Sequence, residues 1–288
     1  MKKLLTRTLS GTVYVALFVF CIYSGRIFHN ELWGNLVLGL FLLFVAMVGT
    51  FEYYRMFENH GEKAYKGFGF VLAFAMFALW WNIGFVSLRA YIEYPEGMID
   101  LPFIAAIPTL IWPVVLLCQL WCKNLRFPKT AIDHALTPAF YIAIPLGLMP
   151  LLNSPQWNVL MMVVALTWVN DSFAYLGGSL IGKHKLWVRH SPGKTWEGCI
   201  VGMIFCVAAA MVAGPMFETE LRLVDWMAVG LIVSIIGTLG DLVESMMKRH
   251  CEVKDSGNIM PGHGGLLDRF DSLLMIAPFV FLYIQIIS

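Results

Sequence analysis

The chain has 288 residues, of which 59% are apolar and 14% charged, and its formal net charge is +1. Soluble domains carry about 25% charged residues, so this composition excludes a single soluble core, and it is far too apolar for a disordered chain. A near-neutral balance also argues against nucleic acid as a partner, which leaves an all-α polytopic membrane protein.

In chain order, apolar runs long enough to cross a bilayer fall at 8–24, 32–51, 67–88, 101–122, 135–152, 157–182, 199–217, 226–247 and 272–288. They predict about nine transmembrane helices. The first follows Met1-Lys2-Lys3 but ends Cys21-Ile22-Tyr23-Ser24, without a small-residue cleavage site, so it reads as a retained helix. Pro108 and Pro113 in the fourth run and Pro145 in the fifth are tolerable, because neighbouring groups re-satisfy a membrane helix backbone. Trp33, Trp157 and Trp226 stand at run ends, where interface aromatics belong. With the N-terminus inside, Arg26, Arg89 and Arg222 lie outside, and the other 17 of the 20 Lys and Arg lie inside. That asymmetry predicts a cytoplasmic N-terminus and an outer C-terminus, and the chain is expected in the cytoplasmic membrane. The chain divides into N-terminal transmembrane helices (1–134) and a C-terminal transmembrane catalytic region (135–288) with cytoplasmic loops at 182–198 and 248–271. No internal repeat is visible. The six cysteines form no C-x-x-C pair; five lie in or beside apolar runs as small hydrophobes, and Cys251 sits in a polar loop.

An ionisable group inside a membrane helix is costly, so it points to a functional site. Asp171 and Asp241 fall within apolar runs, both towards the cytoplasmic end. On a helix Asp241, Ser245 and Lys248 share one face, with Glu244 beside it. The following loop contains Gly262, Gly264 and Gly265, whose backbone can approach a ligand closely and offer N–H groups to an anion. Asp268 and Asp271 are spaced to face one way as the ninth helix begins. Together with Asp241 they supply the oxygen ligands that suit Mg²⁺. Loop 182–198 offers Ser191, Lys194 and Thr195 for phosphates and Glu197 as an acid. Gly193-Lys194-Thr195 is no P-loop, because Val188 stands where the first glycine would be. These residues suit phosphoryl or nucleotidyl transfer, which needs mainly positioning and charge neutralisation.

The string Ser245-x-x-Lys248-Arg249-x4-Lys254-Asp255-x-Gly257-x3-Pro261-x-His263-Gly264-Gly265-x2-Asp268-Arg269-x-Asp271 resembles the signature of the phosphatidate cytidylyltransferases, or CDP-diacylglycerol synthases. Asn170-Asp171-Ser172-Phe173-Ala174-Tyr175 and Ser191-Pro192-Gly193-Lys194-Thr195-Trp196-Glu197-Gly198 are similar to further motifs of that family. Met260 departs from the expected Leu, Ile or Phe. The resemblance covers about 170–271; the N-terminal half matches only as apolar helices. It implies the reaction of CTP with phosphatidate to give CDP-diacylglycerol and pyrophosphate at the cytoplasmic face, a phosphatidate oxygen attacking the α-phosphorus. It further implies that Asp241 and Asp268 bind Mg²⁺, with Asp271 ligating or just behind. Lys248 and Lys194 would hold the triphosphate or the lipid phosphate, and Ser191, Thr195 and Glu197 would order the nucleotide loop. Asp171 would complete the polar cavity, while Ser245, His263 and Arg269 join the substrate-binding set. A monovalent cation and a homodimer are compatible with it.

Two rivals remain. A CTP-dependent polyprenol-type kinase would release CDP rather than pyrophosphate. A secondary transporter would explain the spans and the buried acids, but not polar motifs crowded at one face instead of the midplane.

Overall fold

The computed structural model describes residues 2–93, 108–121, 130–154, 158–217, 219, 221–262 and 264–287, with side chains from Thr8 onwards and, in the third helix, as far as Val86. The helices are α1 (Lys2–Ile27), α2 (Glu31–Asn59), α3 (Lys66–Glu93), α4 (Ile111–Trp121), α5 (Ala131–Pro138), α6 (Ile144–Leu152), α7 (Leu160–Ile181), α8 (Trp196–Ala213), α9 (Leu223–His250) and α10 (Asp271–Ile287). A hairpin of β1 (Lys185–Trp187) and β2 (Ser191–Thr195) joins α7 to α8. Among the described residues, seven helical stretches are long and apolar enough to span a membrane, and α4 and α10 are shorter apolar helices. Each of the nine apolar runs is matched by one of these. The first part of the fourth run, 101–107, lies outside the described residues, as do Trp157 and His263.

Local chemistry explains several element ends. Asn30 caps α2, its side chain accepting from Trp33 N at 3.1 Å. Thr130 and Asp133 form a reciprocal capping box at the start of α5. Between α5 and α6 the helix widens into one π turn, Ala139–Ala143. It lies between Pro138 and Pro145, neither of which has an N–H, and Ile144 N reaches back five residues to Ala139 O.

The packing centres on α6, all of whose residues are buried, against α2, α3 and α10. The α7–α8 pair packs backbone on backbone. A Cβ on Gly198 would lie 2.6 Å from Ala174 O, and one on Gly202 would lie 2.8 Å from Asn170 O. Such small-residue contacts are how helices approach closely where lipid gives no hydrophobic drive. Large apolar side chains such as Leu180 and Val212 remain exposed around the bundle, as a bilayer-facing surface requires.

Two expectations need correction. Trp226 is not an interface residue. It is fully buried, and its ring fills the space a side chain at Gly214 would need. Trp33 does remain exposed. Cys251 is not in a polar surface loop but buried and free.

Candidate active site

A cavity of about 520 Å³ opens among α7, α8, α9 and α10, at the end of the bundle that carries the hairpin. Asp171 reaches it from α7, Asp241 from α9, Asp268 from the 3-10 turn Leu267–Arg269, and Asp271 from the first residue of α10. Lys194 and Arg269 also line it. A second cavity, of about 240 Å³, shares Asp171, Asp268, Arg269, Asp271 and Ser272, and adds Tyr14 of α1 and Trp168 of α7. The two chambers therefore meet at one set of carboxylates.

The hairpin positions Lys194. Glu197, in the first turn of α8, accepts the backbone N–H groups of Lys183 at 3.1 Å and His184 at 3.2 Å, and its carboxylate also meets His184 Nδ1 at 2.5 Å. Thr195 caps α8 by accepting from Gly198 N at 3.2 Å. The stretch 182–198, read from sequence as a loop, thus contains an antiparallel ribbon pairing Lys185 with Thr195 and Trp187 with Ser191. Its end delivers Lys194 Nζ to Asp241 Oδ2 at 2.6 Å and to Thr238 O at 3.2 Å.

One face of α9 presents the next group, as its spacing predicted. Ser245 Oγ donates to Asp241 Oδ1 at 3.2 Å. Lys248 Nζ, on a side chain only 12% exposed, is held by Glu244 Oε2 at 2.7 Å and Asp268 Oδ1 at 2.8 Å. Asp268 Oδ2 accepts from Ser256 N at 2.9 Å, Ser256 Oγ at 3.0 Å and Gly265 N at 2.7 Å. Burial raises the Asp268 carboxyl, but the Lys248 ammonium and these donors outweigh it and hold the group below the usual carboxylate range. Asp271 Oδ1 accepts from Ser272 N at 2.7 Å.

The sequence reading missed Glu52. This α2 residue is 1% exposed. Its carboxylate accepts from Leu266 N at 3.0 Å, Leu267 N at 2.8 Å and Ser256 Oγ at 3.5 Å. The glycine-rich loop was expected to offer its N–H groups to a substrate anion. Instead, those of residues 265–267 are taken by Asp268 and Glu52. Gly262 and Gly264 do take left-handed backbone, at φ +78° and +85°. A Cβ at Gly265 would meet Glu52 Oε2 at 2.7 Å.

Of the residues chosen from sequence, Asp171, Asp241, Asp268, Asp271, Lys194, Thr195 and Arg269 line the larger cavity. Ser191, Glu197, Ser245 and Lys248 are not among its lining residues: Ser191 pairs with Trp187 in the ribbon, Glu197 holds Lys183 and His184, and Ser245 and Lys248 bond to carboxylates, while His263 lies outside the described residues. Four carboxylates face two cationic side chains among the described lining residues, and one of those cations is already paired with Asp241. Hard oxygen donors in excess of cations fit a divalent ion of the Mg²⁺ type.

A bundle of apolar helices enclosing a carboxylate-lined polar cavity defines an integral membrane protein with an acidic site inside it. The chain belongs to the cytidylyltransferase family, whose sequence model matches residues 5–287. It is similar to the phosphatidate cytidylyltransferase of Bacillus subtilis (strain 168), at 45% identity over 121 residues, 42% of this chain and 45% of that protein. It is also similar to those of Staphylococcus aureus (strain COL), at 40% over 167 residues (57% and 63%), and Staphylococcus haemolyticus (strain JCSC1435), at 42% over 158 residues (54% and 60%). The matches thus span from about half to just under two thirds of these relatives' length. The resemblance read from the motifs is borne out at the level of the family.

Proposed function

We propose that this protein transfers CMP from CTP to phosphatidate, giving CDP-diacylglycerol and pyrophosphate, at the cytoplasmic face of the membrane. The observation that carries this reading is the meeting of two chambers at Asp171, Asp268 and Asp271, in a chain of the cytidylyltransferase family. The larger chamber, with Lys194 and Thr195, suits the nucleotide. The smaller, bordered by α1 and α7 with Tyr14 and Trp168, suits an acceptor whose tails stay in lipid. The placement of the basic residues supports the cytoplasmic assignment.

In this reading a phosphatidate oxygen attacks the α-phosphorus of CTP, the bond to the β-phosphate oxygen breaks, and pyrophosphate leaves with the electron pair. The protein's part is positioning and electrostatics. Asp241, Asp268 and Asp271 would hold Mg²⁺, which when bound neutralises the triphosphate. Lys194, released from Asp241, would take a phosphate oxygen, and Arg269 borders both chambers where it can face either substrate. Lys248 is a positioning residue, because its ammonium is spent on Glu244 and Asp268. Glu197 and Thr195 fix the hairpin, and Ser245 orients Asp241. The test is phosphatidate-dependent and Mg²⁺-dependent pyrophosphate release by purified protein. Release of CDP instead would favour the lipid-kinase reading.

A further inference from the structure

A second polar cluster stands apart from the aspartate cavity and shares no lining residue with it. It joins the end of α2 to the end of α9. His60 follows α2, Glu62 lies in the next turn, and His250 is the last residue of α9. One ligand atom from each of His60, Glu62 and His250 lies within 4.8 Å of the others. Glu62 Oε1 meets His250 Nε2 at 2.5 Å. Glu62 Oε2 meets Nε2 of the buried His134 at 2.6 Å, and Nδ1 of that ring lies 3.3 Å from Tyr53 Oη. An open cavity bordered by Gly61, Glu62, Lys63 and Tyr65 gives access from solvent.

We infer that His60, Glu62 and His250 form a binding site for a first-row transition-metal ion of the zinc class. Two imidazoles and a carboxylate are a ligand set for Zn²⁺ rather than for Mg²⁺, which prefers oxygen alone. Three protein ligands leave a fourth position for water. At Zn–N distances of about 2.0–2.1 Å, tetrahedral ligand atoms lie about 3.3 Å apart, so the site forms as His60 moves in and the 2.5 Å contact between Glu62 and His250 opens to admit the ion. His60 is exposed and can make that movement without unpacking the core. The Tyr53–His134 pair orients the Glu62 carboxylate from behind, the outer support that metal ligands use. A bound ion would tie α2, which carries Glu52, to α9, which carries Asp241.

Tag-free protein in saturating Mg²⁺ is titrated with Zn²⁺ by calorimetry. The expected result is one Zn²⁺ per chain, with at least a tenfold loss of affinity in His60→Ala and in His250→Ala. His134→Gln, acting through Glu62, should weaken binding by about 10–100-fold. The His60→Ala variant, matched to the parent in thermal midpoint in chelator, separates ligand loss from unfolding. No Zn²⁺ binding by the parent, or equal binding by parent and the double variant His60→Ala/His250→Ala, overturns the assignment.

Discussion

Glu52→Ala tests how the N-terminal helices reach the chemistry. The substitution strips Leu266 N, Leu267 N and Ser256 Oγ of their shared acceptor. Leu266 and Leu267 are both buried, so water cannot replace the carboxylate cheaply. An unsatisfied buried donor costs about 1–3 kcal/mol, so two backbone donors put roughly 2–6 kcal/mol against the native loop. Gly265 N and Ser256, which hold Asp268, lie in that same loop. With 1.36 kcal/mol per tenfold in rate, turnover should fall by a factor between about 30 and 3 × 10⁴. Glu52→Gln keeps one acceptor but turns an NH₂ towards a backbone donor, so its loss should be intermediate. Steady-state assays would show the drop in kcat rather than in KM for CTP. Hydrogen exchange would show faster amides at Leu266 and Leu267. Parental kcat together with protected amides in Glu52→Ala would refute the reasoning.

Other substitutions follow from the same geometry. Asp241→Asn removes one carboxylate charge from the proposed cation site and an acceptor from Lys194, so Mg²⁺-dependent turnover should be abolished while the protein still folds; near-normal activity would contradict the ligand role. Lys194→Ala should raise KM for CTP by about 10–100-fold, the value of one charge-assisted hydrogen bond of ~1.5–3 kcal/mol, with the thermal midpoint nearly unchanged. Gly198→Val should destabilise the bundle by at least ~1–3 kcal/mol, because its Cβ meets the Ala174 carbonyl, which cannot turn aside; thermal unfolding in detergent measures it.

Much of this architecture is legible in the order of residues. Among the described residues each apolar run is matched by a helix, and the i, i+4, i+7 spacing of Asp241, Ser245 and Lys248 puts them on one face from the sequence alone. The misses have physical causes. Glu52 lies one residue beyond an apolar run, where a carboxylate reads as the solvated end of a helix; its partners are more than 200 positions away. Trp226 has the composition of an interface residue, and only the space above Gly214 makes it core. The ribbon at 185–195 is short and carries Pro192 and Gly193, which suggest a loop; Glu197 and the Thr195 cap hold it in place.

The most direct measurement follows the phosphorus. Purified protein is given phosphatidate, Mg²⁺ and CTP labelled in parallel samples at the α- or γ-phosphate. Cytidylyl transfer puts the α label into lipid and the γ label into pyrophosphate, in amounts equal to one another and dependent on phosphatidate. A γ label in lipid, or neither label leaving CTP with folded protein, would contradict the proposed reaction.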